Sequence, residues 1–344
     1  VVNYGLIIGR LARSFIVSLN PRWVKPRDIC ICITHRCNSR CITCNVWRTF
    51  KPEPSLETLK NWISQFADYG IKGVSLSGGE PFLREDLCQI VDYAHEYDLY
   101  CGIGTNGSLV GKVSMPDVDS ATVSIDGAKP ETHDHIRGVK GSWIKAWNAI
   151  DTFIQHGIEP AVNFVMQSSN YTELPELCRI AIKHHVKRVN LLPVNLGGFS
   201  QAERESENRL RRFDLVLLKK SLFEAYETGV LMNSEEFLKL IIRKIRGEKI
   251  RFRCVLQSIR YLVSSDGNVY LCSVYSHPIG NLYKQSFREI VEGEAAWKIR
   301  DLCLKGECPY WDVCLSQELD SCIKEHFGNY FLYILKRAKM RLLA

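Results

Sequence analysis

The stretch Cys37-Asn38-Ser39-Arg40-Cys41-Ile42-Thr43-Cys44 decides the reading of this sequence. It lies just after the β-branched run 28–33, and its cysteines stand in the spacing C-x3-C-x2-C. Three thiolates on one tight loop leave a tetrahedral zinc one ligand short. They suit an iron–sulfur cubane that keeps one iron open to a further ligand. A zinc site completed by His35 or another cysteine, and three free buried cysteines, are the alternatives these residues leave open.

Outward from the triplet, short β-branched runs alternate with amphipathic stretches, the mark of βα units on a parallel sheet. Strands are expected at 28–33, 73–76, 100–104, 121–125, 161–165 and 188–192, with helices at 55–69, 87–97, 143–156 and 173–185. Six units are too few to close the usual eight-stranded barrel. The fold class is therefore α/β, a partial, open (β/α)6 TIM-like barrel. A polar segment at 201–212 breaks the alternation, and helical patterns follow to about 250. Short strands at 261–263 and 269–271 then lead into a small α+β, cysteine-rich domain. The expected division is a lead-in with an amphipathic helix (1–27), the barrel (28–200), a helical linker (201–250), the cysteine-rich domain (251–325) and a basic amphipathic helix (326–344).

Composition narrows the function classes. The 344 residues are 46% hydrophobic and 24% charged, which excludes a disordered chain, a collagen-like repeat or a coiled coil. The net charge of +7 is modest, and no basic stripe interleaved with aromatics marks the core, so no nucleic-acid partner is expected. The 14 cysteines sit in a chain with ample core, where they read as metal ligands more readily than as disulfide staples. No apolar run reaches the roughly 18–20 residues of a membrane span, and no small-residue cleavage site follows the N-terminal stretch. A cytoplasmic location is expected.

A second motif stands on the next strand. Val74-Ser75-Leu76-Ser77-Gly78-Gly79-Glu80-Pro81 ends it in a glycine turn, where a ligand can approach the main chain closely. With the triplet, this turn resembles the radical S-adenosylmethionine (SAM) superfamily. The resemblance implies a 4Fe-4S cluster on Cys37, Cys41 and Cys44, with SAM chelating the fourth iron through its amino and carboxylate groups. It implies that the turn Ser77, Gly78, Gly79, Glu80 and Pro81 meets the SAM amino group. Further SAM contacts are expected from strand ends: Thr105 and Asn106, Ser124 and Asp126, and Asn163, with Asn195 beyond the sixth strand. Arg137, in His133-Asp134-His135-Ile136-Arg137-Gly138, is expected near the SAM carboxylate, against the plain alternative of a surface salt bridge. His133 and His135 are read as structural. One departure stands out: Thr43 occupies a position usually aromatic in the family, and nearby Trp47 is the candidate contact for adenine. No catalytic acid or base is assigned.

The later cysteines resemble the SPASM or shorter twitch extensions of that superfamily, which carry auxiliary 4Fe-4S clusters. Cys254, Gly267 and Cys272 match the C-x9–15-G-x4-C element in full, and Asp266-Gly267 is a hairpin signal expected to bring the two cysteines together. Cys303, Cys308, Cys314 and Cys322 match the second element in part, since Lys305 and Glu318 stand where its first and last cysteines belong. One auxiliary cluster is expected in preference to two, with a zinc ribbon as the alternative. Cys30, Cys32, Cys88, Cys101 and Cys178 fall within strand and helix patterns and read as core.

The implied activity is reductive cleavage of SAM and hydrogen abstraction from a substrate, fed by a one-electron reductant such as ferredoxin or flavodoxin. Peptide-modifying enzymes and sugar dehydrogenases are among such relatives; an epimerase or carbon–carbon coupling catalyst, and a non-catalytic iron–sulfur or zinc scaffold, are the competing readings. Both termini carry apolar stripes, at Ile7, Leu11, Phe15 and Leu19 and from Phe327 to Leu342, with basic residues off the stripe. Such helices suit either packing on the fold or an anionic membrane surface, which would favour a lipid-linked substrate.

Overall fold

The structure, a computed structural model, describes residues 25–193, 213–248, 260–272 and 277–307. Strand β1 (Asp28–Thr34) places isoleucine at every second position, and Ile29, Ile31 and Ile33 are fully buried. Cys32 on its other face is buried too, as a strand covered on both sides requires. Helix α1 (Leu56–Tyr69) starts where the Ser55 side chain accepts from the Thr58 N–H. It lays Leu59, Trp62, Ile63, Phe66 and Tyr69 on the sheet at helical spacing.

The βα rhythm continues through β2 (Gly73–Gly78), α2 (Leu87–Glu96), β3 (Tyr100–Thr105) and β4 (Ser120–Ser124). After it come α3 (Pro130–Arg137), α4 (Ser142–Gln155), β5 (Glu159–Met166), α5 (Leu174–Lys183) and β6 (Val189–Pro193). Strands β1 to β6 pair in parallel, each with the next. All six strands and the four helices expected before β6 lie within two residues of where the sequence pattern puts them.

Helix α3 was not expected, and its N-terminus shows part of the reason. Its own N-cap residue, Lys129, makes no capping bond. Instead Glu173, far along the chain, accepts from the Ala128 and Lys129 N–H groups at 2.8 and 3.1 Å and from Thr132 Oγ1 at 2.6 Å. That cap comes from tertiary structure; the local signals were Pro130 in the first turn and Gly138, with φ +65°, at the C-cap.

Helices α6 (Leu215–Glu227) and α7 (Glu235–Ile245) follow, then β7 (Arg260–Val263), β8 (Asn268–Tyr270), β9 (Gly280–Asn281), α8 (Phe287–Glu292) and α9 (Glu294–Leu304). The expected hairpin at Asp266-Gly267 joins β7 to β8. Its partner on the other side is the surprise: β7 pairs in parallel with β1, so among the described residues the sheet runs β6-β5-β4-β3-β2-β1-β7-β8-β9. The hairpin thus extends the barrel sheet.

Aromatic packing fastens this extension. Phe287 is fully buried, with its ring 4.8 Å from Phe66, 5.3 Å from Tyr69 and 6.2 Å from Tyr261, all edge-on. The Phe287 N–H donates to Gln65 Oε1 at 2.8 Å. Arg300, also buried, stacks over Trp297 at 4.4 Å and Tyr261 at 5.4 Å. Among the described residues no helix is long and apolar enough to cross a membrane. The amphipathic stretches 7–19 and 327–342 lie outside those residues.

A hairpin shared with the barrel predicts shared stability. Phe287→Ala should destabilise the protein by about 3–5 kcal/mol in denaturant unfolding. The tryptophan signal of the barrel should shift together with backbone circular dichroism. An unshifted barrel transition would show the two parts unfolding separately.

Candidate active site

The cysteine loop leaves the end of β1 and is clamped from three sides. On the first, the Gly79 N–H donates to Thr34 O at 2.7 Å and the Glu80 N–H to Arg36 O at 2.8 Å. A Cβ at Gly79 would lie 2.0 Å from Arg36 O, and one at Gly78, whose φ is +126°, 2.3 Å from Thr34 O. Only glycine permits this approach. On the second side, Arg40 and Ile42 donate to the carbonyls of Arg137 and Ile136, both at 3.0 Å, at the end of α3. On the third, Asn106 Nδ2 donates to Asn38 Oδ1, and Asn38 Nδ2 to Ser108 Oγ, both at 2.8 Å.

So held, Cys37, Cys41 and Cys44 line one cavity at the C-terminal ends of the strands. Ser77, Gly78, Gly79, Thr105, Asn106, Ser124, Asp126, Arg137 and Asn163 line it as well. Its volume is about 250 Å³, where a single water needs about 10–15 Å³ by the same measure. There is room for a small molecule beside a metal centre. Trp47 is on the wall, its Nε1–H donating to Cys41 O at 3.1 Å, with the guanidinium groups of Arg40 and Arg48 at 5.1 and 4.8 Å from its ring centre. Thr122, Val165 and Leu192 also face the cavity, and sequence reasoning missed them. Strand alternation from Ser124 and Asn163 was the available signal for Thr122 and Val165.

Glu80 and Pro81 are not on the wall. Glu80 is fully buried, and Oε1 accepts from Thr105 Oγ1 at 2.7 Å and the Phe82 N–H at 3.2 Å. Oε2 accepts from the Asn106 N–H at 2.8 Å. Burial pushes this carboxyl above its usual range, against the pull of those donors. Glu80 thereby ties the end of β2 to the end of β3.

Asp126 is buried and similarly engaged. Oδ1 accepts from the Val165 N–H at 2.8 Å, and Oδ2 lies 2.9 Å from Arg137 Nε. Burial raises its carboxyl pKa, against the opposing pull of the Arg137 guanidinium and the Val165 N–H. Arg137 Nη1 also donates to Cys41 Sγ at 3.6 Å. Arg137 is no surface salt bridge. Asn163 Oδ1 accepts from Asn190 Nδ2 at 3.0 Å.

The donor set fits an iron–sulfur cluster. Three thiols surround one cavity, a buried cation faces one of them, and thiolates on iron need such compensation. Burial pushes the Cys37 thiol up to about 11 and raises Cys44 as well, so ligand binding must displace protons. His35 is off the wall, with Nδ1 3.2 Å from Thr49 O, and does not complete a zinc site there. Of the later cysteines, Cys272 is half-buried and Cys303 buried, while Cys254, Cys308, Cys314 and Cys322 lie outside the described residues, as does Asn195. Cys32, Cys101 and Cys178 are buried; Cys30 and Cys88 are partly exposed.

Residues 31–181 match the radical SAM superfamily, and residues 254–317 match SPASM, an iron–sulfur cluster-binding domain. The chain carries a radical SAM domain followed by a SPASM domain. An AdoMet-dependent heme synthase of Methanosarcina barkeri (strain Fusaro / DSM 804) is 29% identical over 84% of this chain and 90% of its own length. A PqqA peptide cyclase of Rhizobium meliloti (strain 1021) is 28% identical over 54% of this chain and 52% of its own, so the chain spans about half of that relative. Streptococcus suis SuiB, solved bound to S-adenosylmethionine, shares the fold at a TM-score of 0.61 and 16% identity, covering 88% of this chain and 76% of SuiB. This radical SAM protein is an enzyme, with a 4Fe-4S cluster and SAM in its core domain and auxiliary iron–sulfur centres in its SPASM domain.

His133 makes the α3 end pH-sensitive. It is buried, its Nδ1 accepts from the Asp126 N–H at 3.0 Å, and burial followed by the nearby Arg137 cation depresses it to about 3. A histidine that is neutral when folded takes up a proton on unfolding below about pH 6.5. Its contribution is complete above that pH and is lost as the pH falls toward 3. Wild-type stability should fall between pH 6.5 and 4 more steeply than that of His133→Gln, by up to about 1.4 kcal/mol per pH unit. Parallel curves from urea titrations would show that His133 titrates normally.

Proposed function

We propose that this enzyme cleaves SAM reductively in the cavity at the strand ends and abstracts a hydrogen atom from a peptide side chain. The observation that carries the reaction is the convergence of Cys37, Cys41 and Cys44 with Gly78 and Gly79 on one cavity wall. When bound and reduced by a one-electron donor such as ferredoxin or flavodoxin, the cluster and SAM supply a 5′-deoxyadenosyl radical.

The chain's own groups then place and protect. The three thiols of the clamped loop hold the metal centre. Ser77 and the exposed main chain at Gly78 and Gly79 receive the amino-acid end of SAM, while Trp47 offers a flat face for adenine. Ser124 and Asn163 provide hydrogen-bonding ends, and Val165 and Leu192 keep water from the remaining side. Glu80 contributes by bracing two strand ends.

A peptide substrate is supported by the PqqA peptide cyclase relative. A second reading has its own support: the heme synthase match spans most of both chains, which favours an iron porphyrin. Neither relative supports the lipid-linked substrate considered from the termini.

Anaerobically reconstituted, reduced enzyme should form 5′-deoxyadenosine from SAM, and Cys41→Ala should form none. Deuterium reaching 5′-deoxyadenosine from a perdeuterated synthetic peptide library, and none from a deuterated iron porphyrin, is the expected mass-spectrometric result. The reverse pattern would replace the peptide reading with the porphyrin one. The auxiliary site is checked on a Cys37/Cys41/Cys44 triple-alanine variant. It should retain iron and sulfide for about one 4Fe-4S cluster, by the four-thiolate ligand count; zinc there instead would refute the auxiliary assignment.

A further inference from the structure

We propose that Arg137 sets the reduction potential of the cluster held by Cys37, Cys41 and Cys44, through an N–H···S bond to Cys41, with Asp126 as its counter-charge. This rests on the ligand assignment above and goes beyond it. The resemblance placed Arg137 beside the SAM carboxylate. The structure aims it at a cluster ligand.

The geometry has three parts. Arg137 Nη1 lies 3.6 Å from Cys41 Sγ, within reach of a hydrogen bond to sulfur. Its Nε lies 2.9 Å from Asp126 Oδ2, so the one side chain touches a cysteine and a carboxylate at once. The backbone carrying it is fixed to the cysteine loop: Arg40 donates to Arg137 O and Ile42 to Ile136 O, each at 3.0 Å. Cysteine loop and arginine therefore keep their register together.

Burial gives these contacts weight. The Arg137 side chain is 13% exposed and that of Asp126 2%, so solvent screens little of their charge. Hydrogen bonds to sulfur and local net charge are among the levers that set iron–sulfur potentials. A cationic donor on Cys41 favours the reduced, more negative state and raises the potential. Asp126 works the other way, offsetting part of the guanidinium charge. The neighbouring His133 is neutral and adds no charge of its own. The pair therefore acts as a setting with two opposed controls.

That opposition supplies the test. Redox titration followed by EPR, without SAM present, reads the potential directly. The cluster is identified by the signal that changes on adding SAM and disappears in the Cys37/Cys41/Cys44 triple variant. Arg137→Gln should shift its midpoint to more negative values, Asp126→Asn to more positive ones, and Arg137→Lys should fall between wild type and Gln. In Asp126→Asn the amide oxygen can still accept from the Val165 N–H, so the charge changes while that bond persists.

Midpoints that do not move, or that move in the same direction in Arg137→Gln and Asp126→Asn, overturn the inference while leaving the SAM-cleavage reading intact. A weaker SAM affinity with unchanged SAM-free potential assigns Arg137 to the SAM carboxylate instead. If Arg137→Gln takes up no iron, Asp126→Asn decides alone: a positive shift supports the inference and no shift overturns it. Persistence of the SAM-responsive signal in the triple cysteine variant overturns the ligand assignment and this inference together.

Discussion

Close approach of backbone to backbone at the end of β1 is the constraint on which the site depends. The cysteine loop passes so near the β2 turn that a Cβ at Gly79 would overlap Arg36 O, at 2.0 Å. The contact brings two main-chain hydrogen bonds, from Gly79 to Thr34 O and from Glu80 to Arg36 O. Because the loop is closed against β2 and against α3, its three cysteines share one wall before any metal arrives. A looser loop would have to order itself at binding, with an entropy cost of roughly 1–2 kcal/mol per residue fixed.

The polar residues at the strand ends divide into those that face the cavity and those that hold the rim together. Glu80 uses both oxygens on Thr105, Asn106 and Phe82, and Asn38 links the cysteine loop to Asn106 and Ser108. Burying a carboxylate this deeply is unfavourable unless it is saturated with donors, and here it is. Motif membership therefore does not equal ligand contact. The glycines of the β2 turn reach the wall, whereas the glutamate beside them fixes the spacing between two strands.

This division marks how far the sequence was legible. The strands before β6 and their helices follow from β-branched runs and helical spacing, because propensity, burial pattern and turn residues agree there. The shared cavity of Cys37, Cys41, Cys44 and the strand-end residues follows from strand polarity, which sends every C-terminal end to one mouth. The N-cap of helix α3 was illegible because Glu173 supplies it from elsewhere in the chain, whereas Pro130 and Gly138 mark its two ends locally. The role of Glu80 was illegible for the same kind of reason: two of its three donors, Thr105 and Asn106, are distant in sequence, and nothing local distinguishes a brace from a ligand.

The pairing of β7 with β1 was the least legible feature, and it bears on how the enzyme is organised. Parallel neighbours far apart in sequence leave no short-range signal, and here 225 residues lie between the end of β1 at Thr34 and the start of β7 at Arg260.

 What joins the two strands is burial: Ile29 and Ile31 on β1 and Tyr261 and Val263 on β7 are all fully buried, and register pairs them side by side. At the upper end of the hairpin, Asp266 meets Lys51 at 2.8 Å, just beyond the cysteine loop. Strand β1 thus carries the metal-binding loop at its end and the start of the SPASM hairpin along its edge. One sheet serves both, so a distortion of β1 reaches the cysteine loop and the hairpin together, and the packing of Phe287 against α1 resists it.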